Sequence, residues 1–163
     1  MTGLTSISPS RVIFAFLVSA LIFACPGAEK PQKPEAGPAR VIINTSKSES
    51  REFEVELART GEQTRRGLMH RKSLERNKGM LFIMPYSDVQ KFWMKNTLIP
   101  LDLIFIGEDM EIKGIIKNAA PESLSTLKID RPSRYVLEIN GGLCDKLGIA
   151  AGDKVKLIGA GVE

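Results

Sequence analysis

From residue 52 to 58 the chain alternates strictly: Phe53, Val55 and Leu57 fall on one side, and Glu52, Glu54 and Glu56 on the other. That period predicts a strand with one face in the core and one in water. Val41-Ile42-Ile43 predicts a short strand before it. The run Gly79-Met80-Leu81-Phe82-Ile83-Met84 is apolar throughout and closed by Pro85. It is too short for a buried helix and predicts a core strand. Phe92-Trp93-Met94 repeats the apolar signal after the turn-like Tyr86-Ser87-Asp88. Leu101 to Ile106, the turn Gly107-Glu108-Asp109 and the return from Ile112 to Ile116 predict a hairpin. Tyr135 to Asn140 and Lys154 to Ile158 supply two more strands, and the simplest arrangement of all these pieces is an antiparallel meander. Helical signals are few. Thr60 with Gln63 three residues on is a capping box, so a short helix is expected to run to about Arg66 and stop at Gly67. One further helical turn is expected over Leu143 to Leu147.

The ends of the chain follow other rules. Arg11 is the only charged side chain before Glu29, and it precedes an apolar run of about a dozen residues, short of the roughly 20 needed to span a bilayer. Residues 1–24 therefore have the form of a signal peptide, and Ile22-Phe23-Ala24-Cys25 has the form of a lipobox. In such a box the cysteine thiol takes an acyl chain such as palmitate, and its amine becomes the new terminus. The expectation is export, with the mature protein tethered to a membrane through Cys25; the alternative is a plain secretory signal and a soluble periplasmic or secreted protein. Residues 25–39 carry Pro26, Pro31, Pro34 and Pro38 among glycines and charges. That composition suits an extended linker. Residues 40–163 then form one β-rich domain.

Composition narrows the partners. The chain has 163 residues, is 43% hydrophobic and carries a formal charge of +4. A real core is affordable at that size. No helix-turn-helix, RRM-type or zinc-finger pattern accompanies the modest charge, so no nucleic acid is expected. Once Cys25 is acylated, only Cys144 remains, which excludes an intramolecular disulfide. His70 is the single histidine, which excludes a multi-histidine metal site. No cofactor is implied.

Chemistry-bearing residues gather in two stretches. Arg59 to Lys78 holds seven Lys or Arg against two Glu. Most charge runs are solvated faces, but Arg66 and Arg71 flank Gly67-Leu68-Met69-His70, and arginine's planar fork suits carboxylate or phosphate. The second stretch is Phe92 to Asp102: it holds the only tryptophan, then Lys95, Asn96, Pro100, and Asp102 at the opening of an apolar strand. A carboxylate there needs a cation or backbone amides to hold it, and Lys95 and the nearby arginines are candidates.

Gly67-Leu68-Met69-His70-Arg71, Gly79-Met80-Leu81-Phe82, Phe92-Trp93-Met94-Lys95-Asn96-Thr97 with Pro100-Leu101-Asp102, and Val136-Leu137-Glu138 with Gly148-Ile149 and Gly152-Asp153 follow in order. This series resembles domain of unknown function 192, a family of bacterial and archaeal proteins. The resemblance covers about residues 50 to 158. It implies a mainly β, compact antiparallel domain, barrel-like or sandwich in form, with one or two short helices; it brings no activity, substrate or cofactor. His70 stands where the family more often has an aromatic residue, and Cys144 matches no motif position and is expected as a small core residue.

Three functions fit. The first is a cell-envelope module binding a small anion or glycan, with Arg66, Arg71, Trp93, Lys95, Asn96, Asp102 and Glu138 as candidate ligand-binding residues. The second is a structural or assembly protein of the envelope whose motif residues lock the fold. The third is a hydrolase-like enzyme using Asp102 or Glu138 as general base beside Lys95. No Ser-His-Asp ordering, Cys-His pair or phosphate loop supports a more definite chemistry.

Overall fold

The computed structural model describes residues 37–162. The segment expected as a signal peptide, residues 1–24, together with Cys25 and most of the expected linker, lies outside these residues. Nine elements follow in order: β1 (Arg40–Asn44), β2 (Ser50–Ala58), α1 (Gly61–Arg66), β3 (Lys78–Asp88), β4 (Leu101–Ile106), β5 (Ile112–Ala119), β6 (Ser133–Asn140), α2 (Leu143–Leu147) and β7 (Lys154–Ile158). The capping box forms as the sequence predicts: the Thr60 side chain accepts from the Gln63 N–H, and the Gln63 side chain accepts from the Thr60 N–H. Gly67 ends that helix at φ 45°, where an added Cβ would also press to 3.3 Å from the Phe82 ring.

All seven strands join one sheet in the order β5-β4-β6-β3-β2-β1-β7, curled into a half-barrel. The expected meander is corrected at two points. β2 and β3 run parallel, because α1 and the loop after it carry the chain back to the same end of the sheet. β6 inserts between β3 and β4, antiparallel to both, so the middle of the sheet is built from segments distant in sequence. β3 also continues through Pro85 to Asp88, with its register broken between Ile83 and Asp88; the proline sits where no regular ladder is required of it. At one end the two edges of the sheet meet. Ile112 donates to the Asp153 carbonyl at 3.0 Å and Val155 to the Met110 carbonyl at 2.8 Å.

The curl gives the sheet two different faces. Val41, Phe53, Leu81, Ile104, Leu137 and Val155, among others, fill the inside. Met80, Phe82, Leu103, Phe105 and Val136 point the other way, and the outer face of β3, β4 and β6 is covered by Leu68, Met94 and Ile99 from the connecting segments. Burial on both faces explains why β3 and β4 read as unbroken apolar runs. β2 lies away from that cover and keeps its glutamates on the outer side partly or fully exposed, as its alternation predicts.

Asp102 holds one end of this arrangement together. It is fully buried, and its carboxylate accepts the backbone N–H groups of Asn118 at 2.7 Å, Gly142 at 2.9 Å and Cys144 at 2.7 Å. One side chain on β4 thus secures the irregular end of β5 and the entry to α2. Its partners are amides rather than Lys95 or an arginine. Gly141 makes the approach feasible, since a Cβ there would fall 2.6 Å from the Asn118 side-chain oxygen and 3.0 Å from the Pro100 backbone. Asp153 does similar work before β7, accepting from Ser46 at 3.0 Å and Ala150 at 2.8 Å. The Cys144 thiol is buried beside Asp102, and burial first, then that carboxylate, pushes its pKa far up, so it behaves as an inert core residue.

Asp102→Ala leaves the fully buried N–H of Cys144 and the partly buried N–H groups of Asn118 and Gly142 without their acceptor, so a loss of about 2–4 kcal/mol is expected. Lys95→Met should change stability by less than about 0.5 kcal/mol and should not offset the loss when combined with Asp102→Leu. Chemical denaturation of the three variants measures both; rescue in the double variant would restore Lys95 as the partner.

Candidate functional site

The cover over the outer face does not close completely. Between it and β3 and β6 lies a cavity of about 310 Å³. Phe82, Met84, Phe92, Trp93, Leu68 and Met69 supply its apolar walls. Phe92 is held between Phe82 and Phe105 by edge-to-face contacts, with centroids 5.1 and 6.1 Å apart, and its backbone pairs with Leu127 in both directions at 2.8 Å. Trp93 is half exposed. The Lys95 ammonium lies 5.6 Å from the centre of its ring, so Lys95 supports the tryptophan without lining the cavity. The loop after α1 and the Trp93 segment are fastened to each other by the His70 N–H, which donates to the Asn96 carbonyl at 2.8 Å. Both residues have left-handed backbones, at φ 64° and 56°. His70 therefore contributes a main-chain tie.

Glu138 lines this cavity and is only 5% exposed. Its neighbours across the sheet are Met80 on β3 and Leu103 on β4, both apolar. No hydrogen bond or ion pair among the described residues reaches its carboxyl, whose oxygens keep some contact with the cavity space. Desolvation without a compensating partner raises its pKa from 4.5 to about 8, which leaves it largely neutral at neutral pH. Cations collect nearer the solvent. Arg65 and Arg66 of α1 and Lys91 are exposed, line the same cavity, and have no ion-pair partner among the described residues. Thr64, Thr97 and Thr126 add hydroxyls.

The candidate residues thus separate. Arg66, Trp93 and Glu138 share the cavity; Lys95 and Asn96 are exposed and do not line it; Arg71 and Asp102 are engaged elsewhere. Arg71 forms a two-pronged pair with Glu56, one prong at 2.7 Å, and that hydrogen bond holds the Glu56 carboxyl below its usual range. Asp102 belongs to the amide clamp at α2. Sequence reasoning missed Arg65, Lys91 and Met84. Arg65 was visible within the basic run and Lys91 directly before Phe92, but neither position shows which way it faces. Among the described residues no group of three or more His, Cys, Asp or Glu side chains is placed to hold a metal ion.

Fold and site together define a curled β half-barrel with an amphipathic side cavity between its outer face and a cover of loops. Residues 42–157 match DUF192, described as Uncharacterized ACR, and the chain belongs to that family. It is similar to the crystal structure of a protein of unknown function from Novosphingobium aromaticivorans DSM 12444, with 43% identity and a TM-score of 0.69, covering 72% of this chain and 83% of that one. It is also similar to the crystal structure of a putative transcription regulator from Sinorhizobium meliloti 1021, with 35% identity and a TM-score of 0.72, covering 77% of this chain and 97% of that one. No curated protein matches it.

A carboxyl with a raised folded pKa binds a proton on folding, so its effect on stability has a definite sign. The contribution is fully present below the unfolded value of 4.5 and is lost as pH rises toward about 8. Stability should fall across that window by at most about 1.4 kcal/mol per pH unit, an upper bound because water enters the cavity. Glu138→Gln should flatten the slope and be the more stable form at the alkaline end. Denaturation midpoints of both proteins measured across the window check this, and parallel curves would contradict it.

Proposed function

We propose that the protein is a cell-envelope binding module for a small organic anion with an apolar body, an acidic sugar derivative included, carried on a lipid anchor at Cys25. The supporting observation is the cavity's polarity. Three cations with no ion-pair partner among the described residues stand at its open side, aromatic and methionine side chains form its walls, and a carboxyl with no hydrogen-bond partner among those residues lies against the sheet. Apolar walls favour a ligand body that leaves water, and a few placed polar groups fix its orientation. An anion reaching Arg66 or Lys91 gains a charge-assisted hydrogen bond. The volume suits a ligand of one or two rings.

The structural reading is favoured by Asp102 and Asp153, whose carboxylates are used up by backbone amides. That role accounts for one group of motif residues and leaves Glu138 and the cations unexplained. A hydrolase-like reading would rest on Glu138 alone, since Asp102 has no free acceptor facing the cavity. The anchor reading rests on the sequence up to Cys25, and it places the module at a membrane surface, where ligand capture needs no release of the protein.

Trp93 is the only tryptophan and lines the cavity, so its fluorescence reports occupancy. Titration with simple aromatic carboxylates should give a saturable change. Arg66→Ala and Lys91→Ala should each weaken binding about three- to tenfold, and added salt should weaken it further. Affinity unchanged in both variants would remove the anion assignment. For the anchor, Cys25→Ser should move the protein from the membrane to the soluble fraction or leave it unprocessed. Unlabelled wild-type protein in the soluble fraction after feeding a labelled fatty acid would refute lipidation while leaving export intact.

A further inference from the structure

Glu138 is the one ionisable group lining the cavity whose chemistry the anion reading leaves unused. Charged and titratable groups on the elements around that face include Glu62, Arg65 and Arg66 of α1, His70 in the loop after it, Lys91 after β3, Lys95 over the Trp93 ring, and Glu56 of β2 paired with Arg71. None bonds to Glu138 within the described residues. The flanking positions on the sheet are Met80 and Leu103. A carboxyl in that setting holds its proton, since burial lifts its pKa to about 8. A protonated carboxyl can donate a hydrogen bond. A cation would be the natural partner of an ionised glutamate, yet the approach to this one passes Arg65, Arg66 and Lys91, which repel cations.

We infer that Glu138 is the specificity-determining group of the cavity and selects an organic acid carrying a second, uncharged oxygen: the anion stays with the cations at the mouth, and the Glu138 hydroxyl donates to a carbonyl or ether oxygen at the inner end. The ligand class is thus a keto acid, acyl-substituted acid or similar molecule with an apolar spacer. This rests on the reading of the cavity as an anion site. It also makes recognition proton-dependent, because the ionised carboxylate accepts hydrogen bonds and repels the same oxygen.

Three para-substituted benzoates test it with the full chain, read by Trp93 fluorescence and calorimetry. Acetylbenzoate offers the inner oxygen, isopropylbenzoate has the same shape without it, and aminomethylbenzoate brings a cation instead. At about pH 6 the wild type should prefer acetylbenzoate to isopropylbenzoate by about five- to tenfold, the worth of one hydrogen bond, and the preference should vanish by about pH 10. Glu138→Gln, which keeps an N–H donor at every pH, should retain a preference that no longer depends on pH. Glu138→Leu should bind both equally. Equal affinities in the wild type at the acidic end would overturn the oxygen assignment while leaving the anion site in place. Tightest binding of aminomethylbenzoate, rising with pH, would recast Glu138 as the counter-ion of a ligand cation and overturn the inference. Absence of saturable binding by all three, with Arg66→Ala indistinguishable from wild type, would defeat the anion reading and the inference together.

Discussion

A sheet whose central strands are apolar on both faces has to be covered twice. In this chain the curl of the half-barrel covers the inside, bringing residues from all seven strands into one core. The outer face of β3, β4 and β6 depends on connecting segments instead, and Leu68, Met94 and Ile99 are the side chains that cover it. Loops carry backbone groups that need partners, so a cover made of loops cannot pack as tightly as a second sheet. Its incomplete closure is the cavity.

Two groups of motif residues follow from that constraint. One holds the loops in place: Asp102 and Asp153 take up amides at the end of β5, the entry to α2 and the start of β7. The other lines the gap: Gly67, Leu68, Phe82, Phe92, Trp93 and Glu138 come from four separate stretches and meet around one volume. The first group explains itself through hydrogen bonding, since each carboxylate has its partners. In the second group Glu138 has no such partner among the described residues, and holding a carboxyl so far out of bulk water costs stability unless something else uses it. That cost is the physical argument for a ligand.

Much of the fold was legible. The alternation around Phe53, the capping box at Thr60, the hairpin after Ile106 and the last strand all stand where local chemistry puts them, because each depends on neighbours within a few residues. Strand order was not legible. Insertion of β6 between β3 and β4 is decided by which faces find each other, and apolar runs such as Leu101 to Ile106 fit either neighbour equally well. Of the site, Trp93, Arg66 and Glu138 were named from sequence. Asp102, the most conspicuous of the candidates, was conspicuous for a structural reason: a carboxylate opening an apolar strand signals a buried hydrogen-bond centre whether or not a ligand is present. Glu138 drew less notice, because a single glutamate within Tyr135 to Asn140 looks like an outward-facing residue until the outer face proves to be covered.

The account depends on Glu138 holding a proton in the free protein at neutral pH. Carbon-13 NMR of selectively labelled glutamate, with Glu138 assigned by its absence in Glu138→Gln, measures that state directly. The side-chain carboxyl should titrate with a midpoint near 8, well apart from the exposed glutamates. A midpoint near the ordinary value of 4.5 would mean that the carboxyl is already solvated or paired, and the argument for a ligand at this cavity would lose its basis.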